Sequence, residues 1–404
     1  MKDLIIIGGG PAGLMAAYAA VSSRPSANIV IIEKNSELGV KLKITGNGKC
    51  NYSNATIGDK DNELDYTNYN FDKASKYAEM LRTYDSKWLE KLFFDLGMMT
   101  YQKGDLKYPK SEQSASVLSA LLNSISTDNV KIVTSVEATG ISKSDDGFQI
   151  MCSNKVIYTA KSVLIATGGK AAPKTGSVGG GYKLAKAMGH TVSFTYPGLT
   201  KLCVDSKKNI SLSECAGVRA KALVKAVIDG QTKATEAGEV QFLKDALSGI
   251  CVFNLSRFMS KAIEEGKKCQ VIIDFMPDTK EEELKSLIDK QLKGHIDLES
   301  VLLGFVPAGI AKYISYTAGE DPQKATKLLK NTVVDIVAHG TYDEAQVTIG
   351  GVSMDEIDPA NMESVKTKGL YLAGEVIDVD GACGGYNLHF AFASGFVSGS
   401  SAVK

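Results

Sequence analysis

The sequence predicts an α/β protein with a Rossmann-like, doubly wound domain that is built from both ends of the chain. Near the N-terminus, an apolar strand over 2–7 runs into Gly8-Gly9-Gly10-Pro11-Ala12-Gly13, and a helix of small residues follows over 14–21. Near the C-terminus, an apolar strand over 369–373 leads through another glycine-rich turn into a helix over about 385–402. Because the two ends repeat the same strand–turn–helix pattern, we expect both strands in one sheet.

The first turn has the spacing of a dinucleotide-binding unit. Gly8, Gly10 and Gly13 fit G-x-G-x-x-G, and a second apolar strand over 29–32 ends at Glu33, 20 residues after Gly13. The first glycine permits the tight turn, the second lets backbone approach a pyrophosphate, and the third lets the helix pack on the strand. The helix N-terminus attracts phosphate, and the acid can accept hydrogen bonds from ribose. The pattern predicts a dinucleotide site rather than an unliganded glycine turn, without separating FAD from NAD.

Composition excludes several classes of protein. A chain of 404 residues with 44% hydrophobic side chains can bury a sizeable core, and its formal net charge of zero disfavours a nucleic-acid partner. The seven cysteines contain no C-x-x-C pair and the four histidines are few, so we expect reduced cysteines and no metal site. No apolar stretch reaches about 18 residues, and the apolar run before the first glycine is too short for a signal peptide. We therefore expect a cytoplasmic protein without a membrane span.

The chain between the two ends falls into two regions of different character. In the first, helices are expected over 71–96, 114–126 and 182–188, and strands over 130–133, 136–142, 148–152, 156–160 and 162–166. In the second, strands are expected within 192–229 and at 270–275, a helix over 249–263, and helical periodicity over 279–339 with a helix at 323–338. The simplest assembly inserts roughly 193–342 into the dinucleotide-binding domain.

Four further segments combine glycine with polar side chains that could contact a cofactor. They are Gly39 to Asn51 with lysines at 41, 43 and 49, Leu164 to Gly169 at a strand end, Gly176 to Tyr182, and Leu372 to Asp378 with Gly381 to Leu388. Glycines allow close backbone approach, and the lysines could neutralise a pyrophosphate. The alternatives are a solvated basic loop for the first segment, an ordinary βα turn for the second, a flexible loop for the third and a solvated turn for the fourth.

In this order, these segments resemble the BaiN/YhiN-like flavoprotein family, also called aminoacetone oxidase-like FAD-binding enzymes. The likeness runs over nearly the whole chain and is most specific at Gly48-Lys49-Cys50-Asn51, Gly374-Glu375-Val376 and Gly384-Gly385-Tyr386-Asn387. The resemblance implies FAD as the dinucleotide. It also implies a glutathione-reductase-type FAD-binding domain over 1–192 and 343–404, an inserted β-rich subdomain over 193–276 and a small helical subdomain over 277–342.

The resemblance, together with the glycine motif, implies a set of FAD-binding residues. The first turn and Glu33 would hold the ADP half, Val136 would meet the adenine through its backbone, Glu375 and Asp378 would face the ribityl and pyrophosphate region, and Gly385 to Leu388 would approach the flavin. The full set is Gly8, Gly10, Pro11, Ala12, Gly13, Glu33, Lys34, Lys41, Lys43, Thr45, Gly46, Asn47, Gly48, Lys49, Cys50, Asn51, Val136, Ala166, Thr167, Gly168, Gly169, Gly374, Glu375, Asp378, Gly384, Gly385, Tyr386, Asn387 and Leu388.

Some positions depart from the family pattern, and they surround the expected substrate side. Lys49 stands where arginine is common, Ala382-Cys383 replaces a bulkier pair, and His389 stands where glutamine is usual. The segment 238–249 lacks the Thr-His that usually follows its phenylalanine. These changes leave substrate identity undetermined while keeping the FAD-binding segments.

The expected activity is that of a FAD-dependent oxidoreductase with a small-molecule substrate. Since the sequence has no second G-x-G-x-x-G with a trailing acid, NAD(P)H would be a transient electron donor. The resemblance suggests reduction of an activated C=C bond, such as that of a 3-oxo steroid. Tyr386, His389 and Tyr182 are candidate proton donors, each with a structural role as the alternative. An oxidase of a small amine and a non-catalytic flavin redox sensor are the competing functions.

Overall fold

The computed structural model describes residues 1–58, 68–71, 75–205, 214–294 and 297–404. The chain divides into two compact units, one formed by 1–195 with 347–404 and the other by 196–346. The first unit therefore combines both ends of the chain. The division of the second unit into a β-rich and a helical subdomain stays a prediction. Among the helices of the described ranges, none is long and apolar enough to cross a bilayer.

The elements follow the chain in three stretches. The N-terminal part of the first unit contains β1 (Lys2–Ile7), α1 (Pro11–Ser23), β2 (Ile29–Ile32), α2 (Val40–Ile44), β3 (Ser53–Asn54), α3 (Lys76–Thr83), α4 (Ser86–Asp95), β4 (Thr100–Lys103), β5 (Leu106–Pro109), α5 (Ser114–Ser124), β6 (Val130–Val133), β7 (Ala138–Ser144), β8 (Gly147–Cys152), β9 (Ile157–Ile165) and α6 (Gly180–Ala187). The second unit contains β10 (Tyr196–Gly198), β11 (Leu202–Val204), β12 (Arg219–Ile228), β13 (Gln231–Phe242), β14 (Ala246–Ser248), α7 (Ile250–Glu264), β15 (Cys269–Asp274), α8 (Glu281–Leu292), α9 (Leu298–Leu302), α10 (Ala308–Ala318), α11 (Pro322–Lys330) and β16 (Thr332–His339). The C-terminal part of the first unit adds β17 (Val347–Ile349), β18 (Ile357–Asp358), β19 (Glu363–Ser364), β20 (Leu370–Leu372) and α12 (Tyr386–Ala402).

The main sheet of the first unit confirms the predicted α/β fold. Its strand order is β18-β19-β20-β9-β1-β2-β6, and β20, β9, β1, β2 and β6 are parallel neighbours. Residues 4–7 of β1 are apolar and buried, as expected for a central parallel strand that is covered on both faces. The carboxyl ends of the five parallel strands meet at one edge, where open α/β sheets bind ligands.

One strand of this sheet differs from its predicted form. The sequence predicted separate strands over 156–160 and 162–166, whereas β9 is continuous from Ile157 to Ile165. Its first half pairs antiparallel with β8 and its second half pairs parallel with β20, while β1 runs alongside on the other edge. The two predicted segments are thus one strand that changes neighbours, which a local apolar pattern cannot show.

Small residues let α1 and α12 pack closely against the sheet and each other. A Cβ at Gly13 would lie 1.9 Å from the carbonyl oxygen of Gly8, and Cβ atoms at Gly395 and Gly399 would lie 2.4 and 2.1 Å from the carbonyl oxygens of Ala12 and Ala16. Since such distances are far below van der Waals contact, only glycine fits at these crossings. This packing fixes the start of α1 against the carboxyl end of β1.

A small antiparallel sheet, β3-β5-β4, lies beside this framework and was missed in the sequence. Its strands are short, and Ser53 pairs with Lys107 in the register of β3 with β5. Lys107 is buried, and its Nζ donates to Oε2 of Glu90 at 2.5 Å. The ion pair with the partly exposed Glu90 allows a lysine to be buried where a strand pattern would predict an apolar residue.

The second unit contains a closed barrel with the order β11-β14-β13-β12-β15-β16. The prediction of a helix over 323–338 was wrong, because α11 ends at Lys330 and Thr332–His339 forms β16. Val334 and Ile336 point into the core while Val333 and Val337 are exposed, a period of two that suits β-branched residues in a strand. β16 pairs with both β11 and β15 and thereby closes the barrel.

Candidate functional site

The turn after β1 has the geometry that the glycine motif predicted. Gly8 adopts a φ of 107°, and a Cβ there would lie 2.4 Å from the carbonyl oxygen of Ala166 at the end of β9. Around Gly10, by contrast, a Cβ would meet nothing within 4 Å. Pro11 begins α1, whose N-terminus has no side-chain cap. The turn therefore offers uncapped helix N–H groups and open space above Gly10 to an anion.

Glu33 follows β2 at the same edge of the sheet and is buried. Its Oε2 accepts a hydrogen bond from Gly9 N, and its Oε1 accepts one from Asn35 N, both at 2.8 Å. Its carbonyl oxygen accepts from Val136 N at 3.0 Å, which places Val136 beside the turn. Since each carboxylate oxygen can accept more than one hydrogen bond, these contacts orient Glu33 and leave acceptor capacity for a ribose. Gly9 was missed as a site residue, although the run of three glycines was a signal.

The loop after α2 has an unusual backbone. Gly46, Asn47, Gly48 and Cys50 have φ values of 56°, 54°, 83° and 56°. A positive φ is energetically unfavourable for residues with a side chain, such as Asn47 and Cys50. Backbone strain of this kind is concentrated at ligand-binding sites. Successive backbone N–H groups in left-handed conformations form concavities that bind anions. Thr45 stabilises the entry to the loop, because its hydroxyl donates to Leu42 O at 2.7 Å.

The three lysines of this region each pair with a carboxylate. Lys41 Nζ lies 2.6 Å from Glu375 Oε2, Lys43 Nζ lies 2.6 Å from Glu37 Oε2, and Lys49 Nζ lies 2.6 Å from Glu112 Oε2. The hydrogen bond to Glu112 raises the pKa of Lys49. Lys34, directly after Glu33, is half-buried. Of the three ion pairs, the one between Lys41 and Glu375 is the least exposed to solvent. Because solvent screens its charge least, Lys41 is the lysine best placed to attract a bound phosphate.

The ends of β9 and β20 meet around Glu375. Oε1 of Glu375 accepts from Thr348 N at 2.8 Å, and Oγ1 of Thr348 accepts from the backbone N–H groups of Lys170 and Ala171 at 2.7 and 3.0 Å. This network holds residues 170 and 171, which directly follow the turn of Ala166, Thr167, Gly168 and Gly169. Thr348 was missed, because nothing in its sequence surroundings marks it; only the fold brings β17 to this point.

The turn before α12 completes the edge. Gly374 N donates to Ser394 Oγ at 3.0 Å, and Asp378 Oδ2 accepts from Ser193 Oγ at 2.9 Å. Gly384 and Gly385 have φ values of 130° and 97°, and α12 begins at Tyr386 without a side-chain cap. Because Gly395 lies against Ala12 and Gly399 against Ala16, α12 runs parallel to α1, and its uncapped N-terminus points the same way.

Three asparagines surround the start of α12. Asn54 Nδ2 donates to Gly384 O at 3.0 Å. Asn387 binds the preceding turn twice, because its Oδ1 accepts from Gly381 N and its Nδ2 donates to Gly381 O, both at 2.8 Å. Oδ1 of Asn51 is buried and has no hydrogen-bond partner among the described residues. Because an unmade buried hydrogen bond costs about 1–3 kcal/mol, this acceptor is expected to meet a ligand donor. Leu388, in the first turn of α12, is half-buried.

The three predicted proton donors are all buried. The Tyr386 hydroxyl contacts Thr56 Oγ1 at 2.9 Å and Asn68 Nδ2 at 3.0 Å, and Tyr182 in α6 belongs to the core that also contains Ile165. His389 is fully buried, and burial lowers its pKa to about 4. These surroundings favour the structural alternative for each side chain, and their catalytic roles stay predictions.

The two cysteines near the site lie in surroundings that disfavour the thiolate form. Burial raises the pKa of Cys50 to about 12 and also raises the pKa of Cys383. Because the neutral thiol is a poor nucleophile, these shifts disfavour a nucleophilic role for either cysteine. Within the described ranges, no group of three or more His, Cys, Asp or Glu side chains could hold a metal ion.

The residues at this edge fit a dinucleotide such as FAD. Open space lies over Gly10 and over Gly48, two uncapped helix N-termini supply N–H donors, and Asn51 Oδ1 supplies an unused acceptor. The phosphates would lie at α1 and the lysines, whereas a planar ring with N–H donors would suit Asn51 and α12.

Comparison with known proteins identifies the group to which the chain belongs. A family model described as the HI0933-like protein Rossmann domain matches residues 2–401. The chain belongs to the HI0933-like family. The flavoprotein resemblance found in the sequence is confirmed, and the HI0933-like chain is an oxidoreductase-class flavoprotein with FAD as its cofactor.

Individual relatives of the HI0933-like chain differ in what they act on. It is 35% identical to a 3-dehydro-bile acid delta(4,6)-reductase of Clostridium scindens, with 100% of both chains covered. It is 27% identical to a ribosomal RNA dihydrouridine synthase of Escherichia coli, over 97% of this chain and 96% of that one. The solved 3-ketosteroid delta1-dehydrogenase of Sterolibacterium denitrificans shares its fold, with a TM-score of 0.52 at 11% identity, over 100% of this chain and 99% of that one.

Proposed function

We propose that this HI0933-like chain is an NAD(P)H-dependent reductase of an activated C=C bond, with a 3-oxo-steroid-like enone as substrate. The observation that carries the proposal is its 35% identity, over the full length of both chains, to a bile acid delta(4,6)-reductase. In the overall reaction the β-carbon of the enone gains a hydride and the α-carbon gains a proton, while NAD(P)H becomes NAD(P)⁺. The substrate is thus a small molecule.

Bound FAD would supply the hydride chemistry, and the chain supplies binding, orientation and electrostatics. The turn at Gly8 to Gly13 and the N-terminus of α1 would hold the phosphates. The N-terminus of α12 would favour negative charge on the ring system by roughly 0.3–2 kcal/mol. At its upper end this range exceeds a tenfold change in an equilibrium constant, so the helix would favour the reduced cofactor. The proton donor is proposed from Tyr386 and Tyr182, because the ring N–H of His389 is engaged with Tyr84 O. The buried hydroxyl of Tyr386 lies at the start of α12.

Anaerobic stopped-flow absorbance tests this function. The purified protein is mixed with NADH or NADPH, and the flavin band is followed before and after addition of a 3-oxo-Δ4 steroid. Fast bleaching, followed by recovery with the enone and slow recovery with oxygen, is expected of a reductase. Fast recovery with oxygen and peroxide release would indicate the oxidase instead. A bound flavin that neither nicotinamide bleaches would contradict the proposal and favour the sensor.

A second candidate substrate is a uracil ring in RNA, whose C=C bond is also conjugated to a carbonyl. The observation that favours it is an aromatic surface formed by Tyr101 in β4, Tyr108 in β5 and Lys110 just after β5, and called here the tyrosine platform. The two rings stack with centroids 5.7 Å apart at 24°, and Lys110 Nζ lies 5.6 Å from the centre of the Tyr101 ring. Stacked aromatic rings beside cations are the usual means of holding a nucleic-acid base.

The tyrosine platform lies next to the turn that begins α12. A Cβ at Gly384 would lie 3.4 Å from Leu106 Cδ2, and Leu106 is in β5 with Tyr108. Burial raises the pKa of Tyr108, and nearby Lys49 offsets part of this rise by lowering the pKa. The platform is therefore beside the proposed ring-binding end of the site, where either a steroid or a base could stack.

Mass analysis of RNA separates the two candidates. Ribosomal RNA from a strain lacking this protein is incubated with the enzyme and NAD(P)H, and its uridines are examined for a gain of two hydrogens. A gain that Tyr108→Ala abolishes would favour the RNA substrate. Unchanged RNA under conditions in which the enone is reduced would exclude it. The absence of a nucleic-acid partner, expected from the net charge, stays a prediction until then.

A further inference from the structure

His389 makes two short hydrogen bonds from the first turn of α12 to two other elements. Its Nδ1 lies 2.8 Å from Ser53 Oγ in β3, and its Nε2 lies 2.8 Å from Tyr84 O, just after α3. The side chain is fully buried, and Ser53 is fully buried as well. His389 therefore joins three segments at a point that water does not reach.

The partners determine the tautomer. A carbonyl oxygen can only accept, so Nε2 of His389 carries the proton and donates to Tyr84 O. In the neutral ring, Nδ1 then accepts the proton of the Ser53 hydroxyl. Two charged groups act on the ring from neighbouring elements, Asp85 at the start of α4 and Lys107 in β5, and Lys107 is paired with Glu90. Because burial lowers the pKa of His389, the neutral imidazole is favoured, and its one N–H is engaged with Tyr84 O.

The segment that His389 holds lies directly against the start of its own helix. A Cβ at Gly385 would lie 2.4 Å from Ser53 O and 2.9 Å from Asn51 Oδ1. His389 N donates to Gly385 O at 3.0 Å, so the ring and the glycine belong to one turn. The buried, unpartnered acceptor of Asn51 is thus two residues from the serine that His389 binds.

We propose that His389 is a positioning residue that holds Asn51 and Ser53 against the first turn of α12, so that Asn51 Oδ1 can accept a hydrogen bond from an imide N–H of the FAD ring system. The proposal rests on the assignment of FAD to this edge of the sheet. It assigns no proton transfer to His389.

Glutamine is the matched replacement for this role. Its amide has one acceptor and one donor, as the neutral imidazole has, and can contact both Ser53 Oγ and Tyr84 O. Leucine has a similar bulk but would leave both partners buried without a hydrogen bond. If His389 only filled space, replacement by leucine would leave FAD binding unchanged. If His389 positions its neighbours, the hydrogen bonds to Ser53 Oγ and Tyr84 O are needed.

FAD titration of apo-protein, followed by flavin fluorescence and by the visible spectrum of the bound cofactor, tests the proposal. His389→Gln is expected to keep Kd within about threefold of the original and to keep the spectrum. His389→Leu and Asn51→Ala are expected to weaken FAD binding at least tenfold and to shift the flavin band, and the double variant should be no weaker than the poorer single one. Urea unfolding of each apo-protein separates lost folding from lost binding.

Two results would overturn the proposal. One is a His389→Leu protein that binds FAD with the original Kd and spectrum; the other is His389→Gln behaving like His389→Leu. If the leucine variant does not fold, Ser53→Ala replaces it, since only the hydroxyl is lost, and an unchanged Kd and spectrum there would refute the role. Failure of the original protein to bind FAD would instead refute the cofactor assignment, and the proposal with it.

Discussion

Lys41 Nζ lies 2.6 Å from Oε2 of Glu375, although the two residues are 334 positions apart in the chain. Lys41 belongs to α2 and Glu375 to the turn after β20, so the pair connects the loop after β2 with the C-terminal strand of the sheet. The other oxygen of Glu375 accepts from Thr348 N. The carboxylate is therefore fixed, and the ammonium is held over the edge where FAD is assigned.

Removing the Lys41 ammonium should weaken FAD binding more than it destabilises the fold. Lys41→Met is expected to raise the Kd for FAD about tenfold and to lower the free energy of unfolding of the apo-protein by about 1 kcal/mol. Lys91→Met is the control, because Lys91 pairs with Asp95 on the exposed face of α4. Fluorescence titration and urea unfolding measure both quantities, and equal effects of the two variants on FAD affinity would contradict the role of Lys41.

The close packing at Gly13 should make that position intolerant of a methyl group. A Cβ there would lie 1.9 Å from Gly8 O, a backbone atom that cannot move without shifting β1. Gly13→Ala should therefore destabilise the apo-protein by about 3 kcal/mol, although alanine is favoured over glycine in open helices by about 1 kcal/mol. Urea unfolding of the apo-protein checks this, and a gain in stability would show that the helix is not held against the turn.

Glu356 should contribute stability that is lost in acid. Burial would raise its pKa, but hydrogen bonds from Lys366 Nζ and Thr191 N outweigh burial and lower the pKa to about 2, below the ordinary 4.5. The contribution is thus full above pH 4.5 and disappears as the pH falls from 4.5 to about 2. Glu356→Gln should cost about 1 kcal/mol at pH 7, after allowance for solvent screening, and flatten this part of the pH profile.

Urea midpoints of the apo-protein between pH 2 and 7 measure that profile, and Asp95→Asn serves as the surface control. A Glu356→Gln variant that follows the original protein at every pH would show that the contacts to Lys366 and Thr191 do not stabilise the fold.

His389 should produce a second acid-sensitive region at higher pH. Burial lowers its pKa from 6.5 to about 4, so the unfolded chain takes up a proton at a pH where the folded chain does not. Stability should be full above pH 6.5 and should fall by roughly 3 kcal/mol as the pH drops to about 4. His389→Gln cannot titrate and should lack this decline. Urea unfolding from pH 4 to 7 compares the two proteins, and parallel profiles would contradict a buried neutral histidine.

Much of the fold could be predicted because its signals are local. The turn at Gly8 to Gly13, the acid at Glu33 and the C-terminal strand and helix lie at fixed offsets along the chain, and the α/β fold with both ends in one sheet is confirmed. β16 was assigned to a helix because its β-branched residues follow a true helix without a break other than Asn331. Its strand conformation depends on pairing with β11 and β15, and the residues around it in the sequence give no information about those partners.

The parts of the site that contain glycine motifs could be predicted from the sequence. The parts that depend on contacts between distant segments of the chain could not. Thr348 and Gly9 orient Glu375 and Glu33 through backbone N–H donors that only the folded chain brings to these carboxylates. The tyrosine platform depends on the register of β4 with β5, which places Tyr101 opposite Tyr108. The predicted subsites of FAD stay predictions, since they rest on the positions of these residues and not on a bound cofactor.

The most direct test of the central claim, that FAD lies over the glycine turn at the carboxyl edge of the sheet, is the affinity of Gly10→Ala for FAD. Gly10 has a φ of −82°, which alanine adopts readily, and a Cβ there meets no protein atom within 4 Å, so the apo-protein should unfold at the original urea concentration. The methyl group would occupy the space assigned to the pyrophosphate, and we expect FAD to bind at least tenfold more weakly. Unchanged FAD affinity in a stably folded Gly10→Ala protein would contradict the account.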